Sequence, residues 1–279
     1  MQNEKERLPH KQNLHTHTSY TDGIDTPEEM ILTAIEKGFD SIGFSEHTML
    51  KYSPAKRQLT DERFALYKSE IAALKEKYRG RIGVYCGLEY EYYSEVDTDG
   101  LDYLIGSVHY LDVGGEILGF DRGLEETLNY VKNNFGADGL SFAKRYFETV
   151  TMLPSKKSFD ILGHFDILTK NNEMGGFIDI SDTKYLKYGF EAIDAIKGKI
   201  PFFEVNTGSI SRGYRSLPYP AMDFLKEFKR QGYGALITSD CHNRIHLDCA
   251  YDMARELLIA AGFRSKWILT DGGFTEVSL

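Results

Sequence analysis

The chain of 279 residues has only three cysteines, Cys86, Cys241 and Cys249. An odd number without a Cys-x-x-Cys pair argues against a disulfide framework and against a zinc finger. Reduced thiols are the expected state. No block rich in lysine and arginine is present, and 33 basic against 42 acidic residues leave a net charge of −9. The electrostatic footprint of a nucleic-acid binder is therefore missing, although metal ions held by some of the acids would offset part of that count. No apolar run approaches the roughly 18 residues of a membrane span. The opening Met-Gln-Asn-Glu-Lys-Glu-Arg is charged and leads into no apolar stretch, so no signal peptide is expected. Together these absences predict a cytoplasmic protein that engages neither membranes nor nucleic acid.

What is present is ordinary for a globular chain: 42% hydrophobic and 27% charged residues. The length suits one α/β barrel or two smaller domains. Short apolar runs are expected as strands at 41–46, 81–89, 102–109, 158–164, 201–206 and 235–240, after an opening strand at His15 and His17. Helical patterns separate them. Thr26-Pro-Glu-Glu starts the first, with Thr26 as N-cap, Pro27 at the first position and Glu29 completing a capping box. A loop carrying Tyr52 and Pro54 fills 48–60. A helix over 61–78 should bury Phe64, Leu66, Tyr67, Ile71 and Leu74. Between 110 and 157 come a glycine-rich turn (Gly114, Gly115, Gly119) and helices near 125–134 and 139–153. Further helices are expected at 181–197, 219–231 and 248–261, and a last extended piece at 267–270. Seven strands alternating with helices imply a parallel sheet. The economical solution is a single closed or nearly closed α/β barrel over residues 1–279.

In such a barrel, chemistry sits at the carboxyl ends of the strands. Those ends carry, in order, His15, His17 and Asp22; His47; Glu89; His109; His164; Glu204 and Asn206; Asp240 and His242. Six of the eight histidines fall in this pattern, with only His10 and His246 outside it. A single His-x-His is more often a pair of half-buried histidines beside a turn, but a set converging on one rim is not. Mixed imidazole and carboxylate donors suit zinc, manganese or iron rather than magnesium or calcium. Nine candidate ligands exceed one tetrahedral ion, so two or three ions sharing a bridging carboxylate are expected. A cluster of that kind activates water near neutral pH and clamps phosphoryl oxygens, which points to hydrolysis.

The ordered set His-x-His-Thr with Asp-Gly after it, Ser-Glu-His at 45–47, Gly-Leu-Glu at 87–89, Ser-Val-His at 107–109, Gly-His at 163–164 and Ser-Asp-Cys-His at 239–242 resembles the PHP (polymerase and histidinol phosphatase) family over essentially the whole chain. The resemblance implies a distorted seven-stranded β/α, TIM-like barrel with a trinuclear site. One ion would be held by His15, His17, Glu89 and Asp240, a second by Glu89, His109 and His164, a third by Asp22, His47 and His242. Within the family the chain is most similar to the histidinol-phosphate phosphatases, through Gly87-Leu-Glu-Tyr-Glu, residues 102–111, 159–166 and 203–208, and the two-helix connection 120–165. That implies hydrolysis of a small phosphate ester, histidinol phosphate, in histidine biosynthesis. Relatives grip phosphate with arginine, and Arg212 or Arg215 is the counterpart here, the alternative being a solvated loop. Lys170 stands where some relatives have arginine, as a point charge without the bidentate fork. Metal-activated water would attack phosphorus in line, and Asp240 or His242 would protonate the leaving oxygen. Glu204 and Asn206 would orient ligands or substrate, Glu46 would pair with a neighbouring imidazole or cap its strand, and Asp166 could do either. The other enzymatic reading is a phosphoesterase of the same family acting on nucleotides, DNA ends or phosphotyrosine. A non-catalytic barrel would show gaps in the ligand set, and none is visible.

Overall fold

The computed structural model describes residues 10–48 and 59–279. Most of the expected 48–60 loop, including Tyr52 and Pro54, lies outside the described residues. The chain order is β1 (Gln12–Asn13), α1 (Pro27–Glu36), β2 (Ser41–His47), α2 (Asp61–Lys77), β3 (Gly83–Glu91), β4 (Tyr103–Ser107), β5 (Tyr110–Val113), β6 (Glu116–Gly119), α3 (Leu124–Phe135), α4 (Gly139–Met152), β7 (Ile161–Leu162), α5 (Asn172–Gly175), α6 (Thr183–Ile196), β8 (Phe202–Asn206), α7 (Gly208–Ser211), α8 (Met222–Gln231), β9 (Gly234–Thr238), α9 (Tyr251–Ala260), β10 (Ser265–Thr270) and β11 (Gly273–Ser278). Thr26 and Glu29 form the expected capping box, with Pro27 opening α1.

Seven strands pair in the order β1-β2-β3-β4-β7-β8-β9, all parallel. The sheet curls until its two edges meet. Thr16 bridges Cys241, His17 N donates to Cys241 O at 2.8 Å, and Cys241 N donates to His15 O at 3.2 Å. The result is the nearly closed β/α barrel expected from the sequence.

Because alternate residues of a strand share a face, β3 sends Tyr85, Gly87, Glu89 and Glu91 to one side in turn. The inner core is small: Leu14, Tyr85, Tyr103, Ile105, Ile161, Phe202, Leu236 and Leu269. Tyr103 spans it, with its hydroxyl 2.5 Å from Leu14 O and 3.0 Å from Phe44 O. Its ring fits because Gly87 carries no side chain; a Cβ there would fall 2.5–2.6 Å from three ring atoms. A larger core lies between sheet and helices, as where Phe203 stacks on Phe228 at 4.2 Å.

The structure differs from expectation at several elements. Leu66 is 62% exposed rather than in the core, because it lies one position off the Phe64–Tyr67–Ile71–Leu74 stripe of α2. The glycine-rich turn near 114 is the tip of an antiparallel hairpin, β5–β6. The extended piece at 267–270 is likewise half of a hairpin, β10–β11. That hairpin packs under the barrel: Leu269 exchanges hydrogen bonds with the Gln12 side chain at 2.8 Å, and Phe202 meets Trp267 and Phe274. The helix expected from Tyr219 begins at Met222, since Tyr219 pairs with Asn206 instead.

Two measurements test this packing. Gly87→Ala should lower stability by about 1–3 kcal/mol through overpacking against Tyr103, read as a reduced denaturant midpoint; an unshifted midpoint would contradict the contact. Lys266, 2% exposed, donates to His10 O at 3.0 Å, and burial pulls its ammonium down to about 8. The unfolded chain keeps that proton to about pH 10.4, so wild-type stability should rise with pH between these values. Relative to Lys266→Met, wild type should gain on the order of 2–3 kcal/mol between pH 7 and pH 10.

Candidate metal centre

The barrel mouth gathers all nine candidate ligands. Glu89, 1% exposed, lies at their middle. Its Oε2 is 2.7 Å from His47 Nδ1, 3.5 Å from His15 Nε2 and 3.6 Å from His17 Nε2. Its Oε1 is 2.8 Å from His164 Nε2 and 3.4 Å from His109 Nε2. Asp240 Oδ1 lies 3.3 Å from His17 Nε2 and 3.8 Å from His15 Nε2. Asp22 Oδ1 lies 3.5 Å from His47 Nε2 and 3.3 Å from His242 Nε2. Asp240 holds this place with a left-handed backbone, φ 45°, a conformation a non-glycine residue keeps only when its surroundings enforce it. Gly23 lets the loop carrying Asp22 press onto the opening segment, since a Cβ there would lie 2.2 Å from His17 O.

A ring of carboxylates and backbone atoms aims the imidazoles. Glu204 receives His15 Nδ1 at 2.9 Å, the His164 amide at 2.7 Å, the Asn206 amide group at 2.8 Å and the Thr238 hydroxyl at 2.7 Å. This is the orienting role expected for Glu204 and Asn206. Glu91 does the same for His109, taking its backbone N–H at 2.7 Å and facing Nδ1 at 3.1 Å. His242 Nδ1 lies 3.0 Å from Asp240 O. Each such contact leaves the other ring nitrogen free to point into the mouth. Glu91 was not singled out from sequence, though its place two residues after Glu89 on one strand was a usable signal.

Glu46 departs from expectation. It does not pair with an imidazole but accepts from Thr18 N and Oγ1 at 2.9 and 2.6 Å, and from Thr21 Oγ1. It braces the 18–21 turn, and burial pushes its carboxyl up to about 7. Asp166 is buried and accepts from Ala221 N at 3.1 Å. The three cations expected to meet phosphate lie in different settings. Arg212 donates to Asp240 Oδ2 at 2.8 Å and Asp240 O at 3.0 Å, with His242 Nδ1 at 3.0 Å. Arg215 is buried over the Tyr219 ring, 4.4 Å away, with Thr169 Oγ1 at 2.5 Å. Lys170 is salt-bridged to Asp121 at 2.8 Å, a partner with no sequence signal because it follows a hairpin that was not anticipated.

The donor set fits divalent cations. His15 Nε2, both nitrogens of His17 and His164 Nδ1 are buried without a hydrogen-bond partner, and Glu89 Oε2 has only the ion-pair contact with His47 Nδ1, an arrangement too costly to keep unless something else satisfies it. His109 Nε2 and His164 Nε2 face one another at 3.2 Å beside Glu89. Among the described residues, ligand atoms converge in three groups: His17, Asp22, His47 and His242; His15, Glu89 and His164; His15, His17 and Asp240. The charges are strongly interdependent. Burial disfavours the protonated ring of His15, but Glu204, Glu89 and Asp240 outweigh it and hold its pKa well above the usual value. His47 is raised likewise, with Asp22 and Glu89 overcoming burial. His17 falls to about 3 through burial and the neighbouring His47 and His242. Burial opposes ionisation of Glu89 and Asp240, yet His47 and His109 around the first and Arg212 and His15 around the second keep both well below the carboxylate range. Cations bound here would displace protons from the rings, so their affinity is linked to pH.

A nearly closed parallel β/α barrel with imidazoles and carboxylates converging at its carboxyl-end rim defines a barrel protein built to hold several divalent ions. The chain belongs to the PHP domain family, whose profile matches residues 13–208. It is 26% identical over 226 residues to a probable histidinol-phosphatase of Deinococcus radiodurans, covering 78% of this chain and 80% of the relative. It is 24% identical over 270 residues to a probable histidinol-phosphatase of Schizosaccharomyces pombe, covering 88% and 84%. In fold it is similar to the crystal structure of histidinol phosphate phosphatase from Lactococcus lactis complexed with zinc, L-histidinol and phosphate. There the TM-score is 0.70 at 20% identity, over 95% of this chain and 99% of the other. No described helix is long and apolar enough to cross a membrane.

Proposed function

We propose that the chain is a metal-dependent phosphomonoesterase of the cytoplasm that hydrolyses L-histidinol phosphate to L-histidinol and inorganic phosphate. The observation that carries the hydrolase reading is the set of buried imidazole and carboxylate atoms left without hydrogen-bond partners around Glu89. The choice of substrate rests on the two relatives named probable histidinol-phosphatase, each aligned over more than three quarters of this chain.

In this reading His15, His17, Glu89 and Asp240 hold one ion, Glu89, His109 and His164 a second, and Asp22, His47 and His242 a third. His17 is also within reach of the third group. Bound ions supply a nucleophile from water near neutral pH and neutralise the phosphoryl oxygens. The protein supplies the rest. Arg212, tied to Asp240 and beside His242, is the cation best placed to receive a phosphoryl oxygen. Arg215 is buried over Tyr219 and bonded to Thr169 Oγ1, which leaves it less accessible to phosphate than Arg212. Asp240 is held ionised despite burial by Arg212 and His15, so it has no proton to give the leaving group. With His242 in the third ligand group and its Nδ1 against Asp240 O, the departing alkoxide takes its proton from water.

Phosphate release from histidinol phosphate, nucleotides and phosphotyrosine, with metal content measured on the same preparation, tests the assignment. Histidinol phosphate should lead by at least about tenfold in kcat/KM, a difference of about 1.4 kcal/mol; a preference for nucleotides or phosphotyrosine would sink the substrate. His17→Ala and Asp240→Asn should each lose bound metal, metal-dependent thermal stabilisation and at least about a hundredfold in kcat. Full activity in either would remove the metal mechanism. Glu91→Gln should weaken metal binding by roughly 10- to 100-fold while regaining much of its activity at saturating metal.

A further inference from the structure

Resting on that substrate, we infer that Asp121 forms an ammonium subsite, where the carboxylate now joined to Lys170 receives the substrate's amine. L-Histidinol phosphate carries an anionic phosphate at one end, an imidazole at the other, and a cationic amine on the carbon next to the ester-bearing methylene. A mouth lined by imidazoles, bound cations and Arg212 serves the phosphate and repels the amine. The amine therefore needs a carboxylate that the metal centre does not already use.

Most acids around the mouth are committed. Glu89, Asp240 and Asp22 face the imidazoles. Glu204 and Glu91 orient His15 and His109. Glu46 is tied to the 18–21 turn, and Asp166 is closed off at 1% exposure. Asp121 differs. Its side chain is 24% exposed and its salt bridge runs to a lysine. The β5–β6 hairpin returns the chain to the rim, where Phe120 N donates to His109 O at 3.1 Å, so the next residue lies beside the metal centre.

A second observation marks the same corner. Tyr219 is 1% exposed, its ring centroid is 6.4 Å from that of His164, and its hydroxyl has no hydrogen-bond partner. The charge of Asp121 acts on this hydroxyl, on His109 and on Arg212. An unpaired hydroxyl and an available carboxylate flank one side of the mouth. The Lys170 ammonium shows what Asp121 binds. It lies 2.8 Å from the carboxylate and 4.7 Å from the Tyr214 ring centroid. Lysine is a flexible point charge, so a substrate alkylammonium can replace it like for like.

The test compares L-histidinol phosphate with 3-(imidazol-4-yl)propyl phosphate, which lacks the amine. Wild type should favour the amine-bearing ester. Asp121→Asn should reduce that preference by roughly 10- to 100-fold, the range expected for a charge-assisted hydrogen bond, mainly through KM. Asp121→Ser is a second variant with the same expectation should the first fold poorly. Lys170→Met should keep the preference. A preference retained in both Asp121 variants, or lost equally in Lys170→Met, would overturn the subsite and show the pair to be structural. Failure of wild type to hydrolyse histidinol phosphate at all would instead overturn the substrate, and the subsite with it.

Discussion

Glu89 is the constraint on which the rest of the site depends. One buried carboxylate lies within 2.7–3.6 Å of nitrogens from five imidazoles: His15, His17, His47, His109 and His164. Its position is a property of the sheet rather than of a loop. Parallel register sets Glu89 opposite His47 on β2 and Ile105 on β4. Two residues earlier, Gly87 opens the space that Tyr103 fills, and the Tyr103 hydroxyl ties back to the carbonyls of Leu14 and Phe44. The floor of the barrel and the carboxylate at the middle of the candidate metal site are therefore successive layers of one strand.

Burying so many ionisable groups is tolerable only because each has an opposite neighbour. Carboxylates stripped of water would take up protons, yet Glu89 and Asp240 stay ionised because imidazoles and Arg212 surround them. Glu204 and Glu91 act from the outer side of the rings, fixing orientation and raising ligand basicity. The closing bridge between Thr16 and Cys241 has the same consequence for geometry. It locks His15 and His17 at one edge of the sheet to Asp240 at the other, joining ligands separated by more than two hundred residues.

The parts legible in the sequence are those governed by short-range rules. Capping at Thr26, the alternation of strands and helices, and the placement of His, Asp and Glu at strand ends all follow from local pattern, and they led to the barrel and to the imidazoles and carboxylates gathered at its mouth. What escaped depends on partners distant in sequence. Leu66 was apolar but lay off the buried stripe of α2. The hairpins β5–β6 and β10–β11 were short enough to be taken for a turn and a single extended piece. Glu46 ends the strand expected at 41–46, which suggested an imidazole partner or a cap, yet the hydroxyls that claim it come from the preceding loop. The Lys170–Asp121 pair joins residues 49 positions apart, and no periodicity announces it.

That division also explains why ligand residues were easier to read than recognition residues. The candidate ligands lie at or just beyond the carboxyl ends of the strands, so their positions follow from where the strands stop. The charged side chains proposed to meet substrate come from the connections: Asp121 after β6 for the amine and Arg212 after β8 for the phosphate, with Lys170 after β7 as the counter-ion of the first. Loops obey no such rule, and their side chains are aimed by whichever neighbour the tertiary fold supplies. Lys170 shows the consequence. Its place where some relatives have arginine suggested phosphate, and in the structure the group it meets is the Asp121 carboxylate. The barrel thus determines what reaction the mouth can support, and the connections determine which ester reaches it.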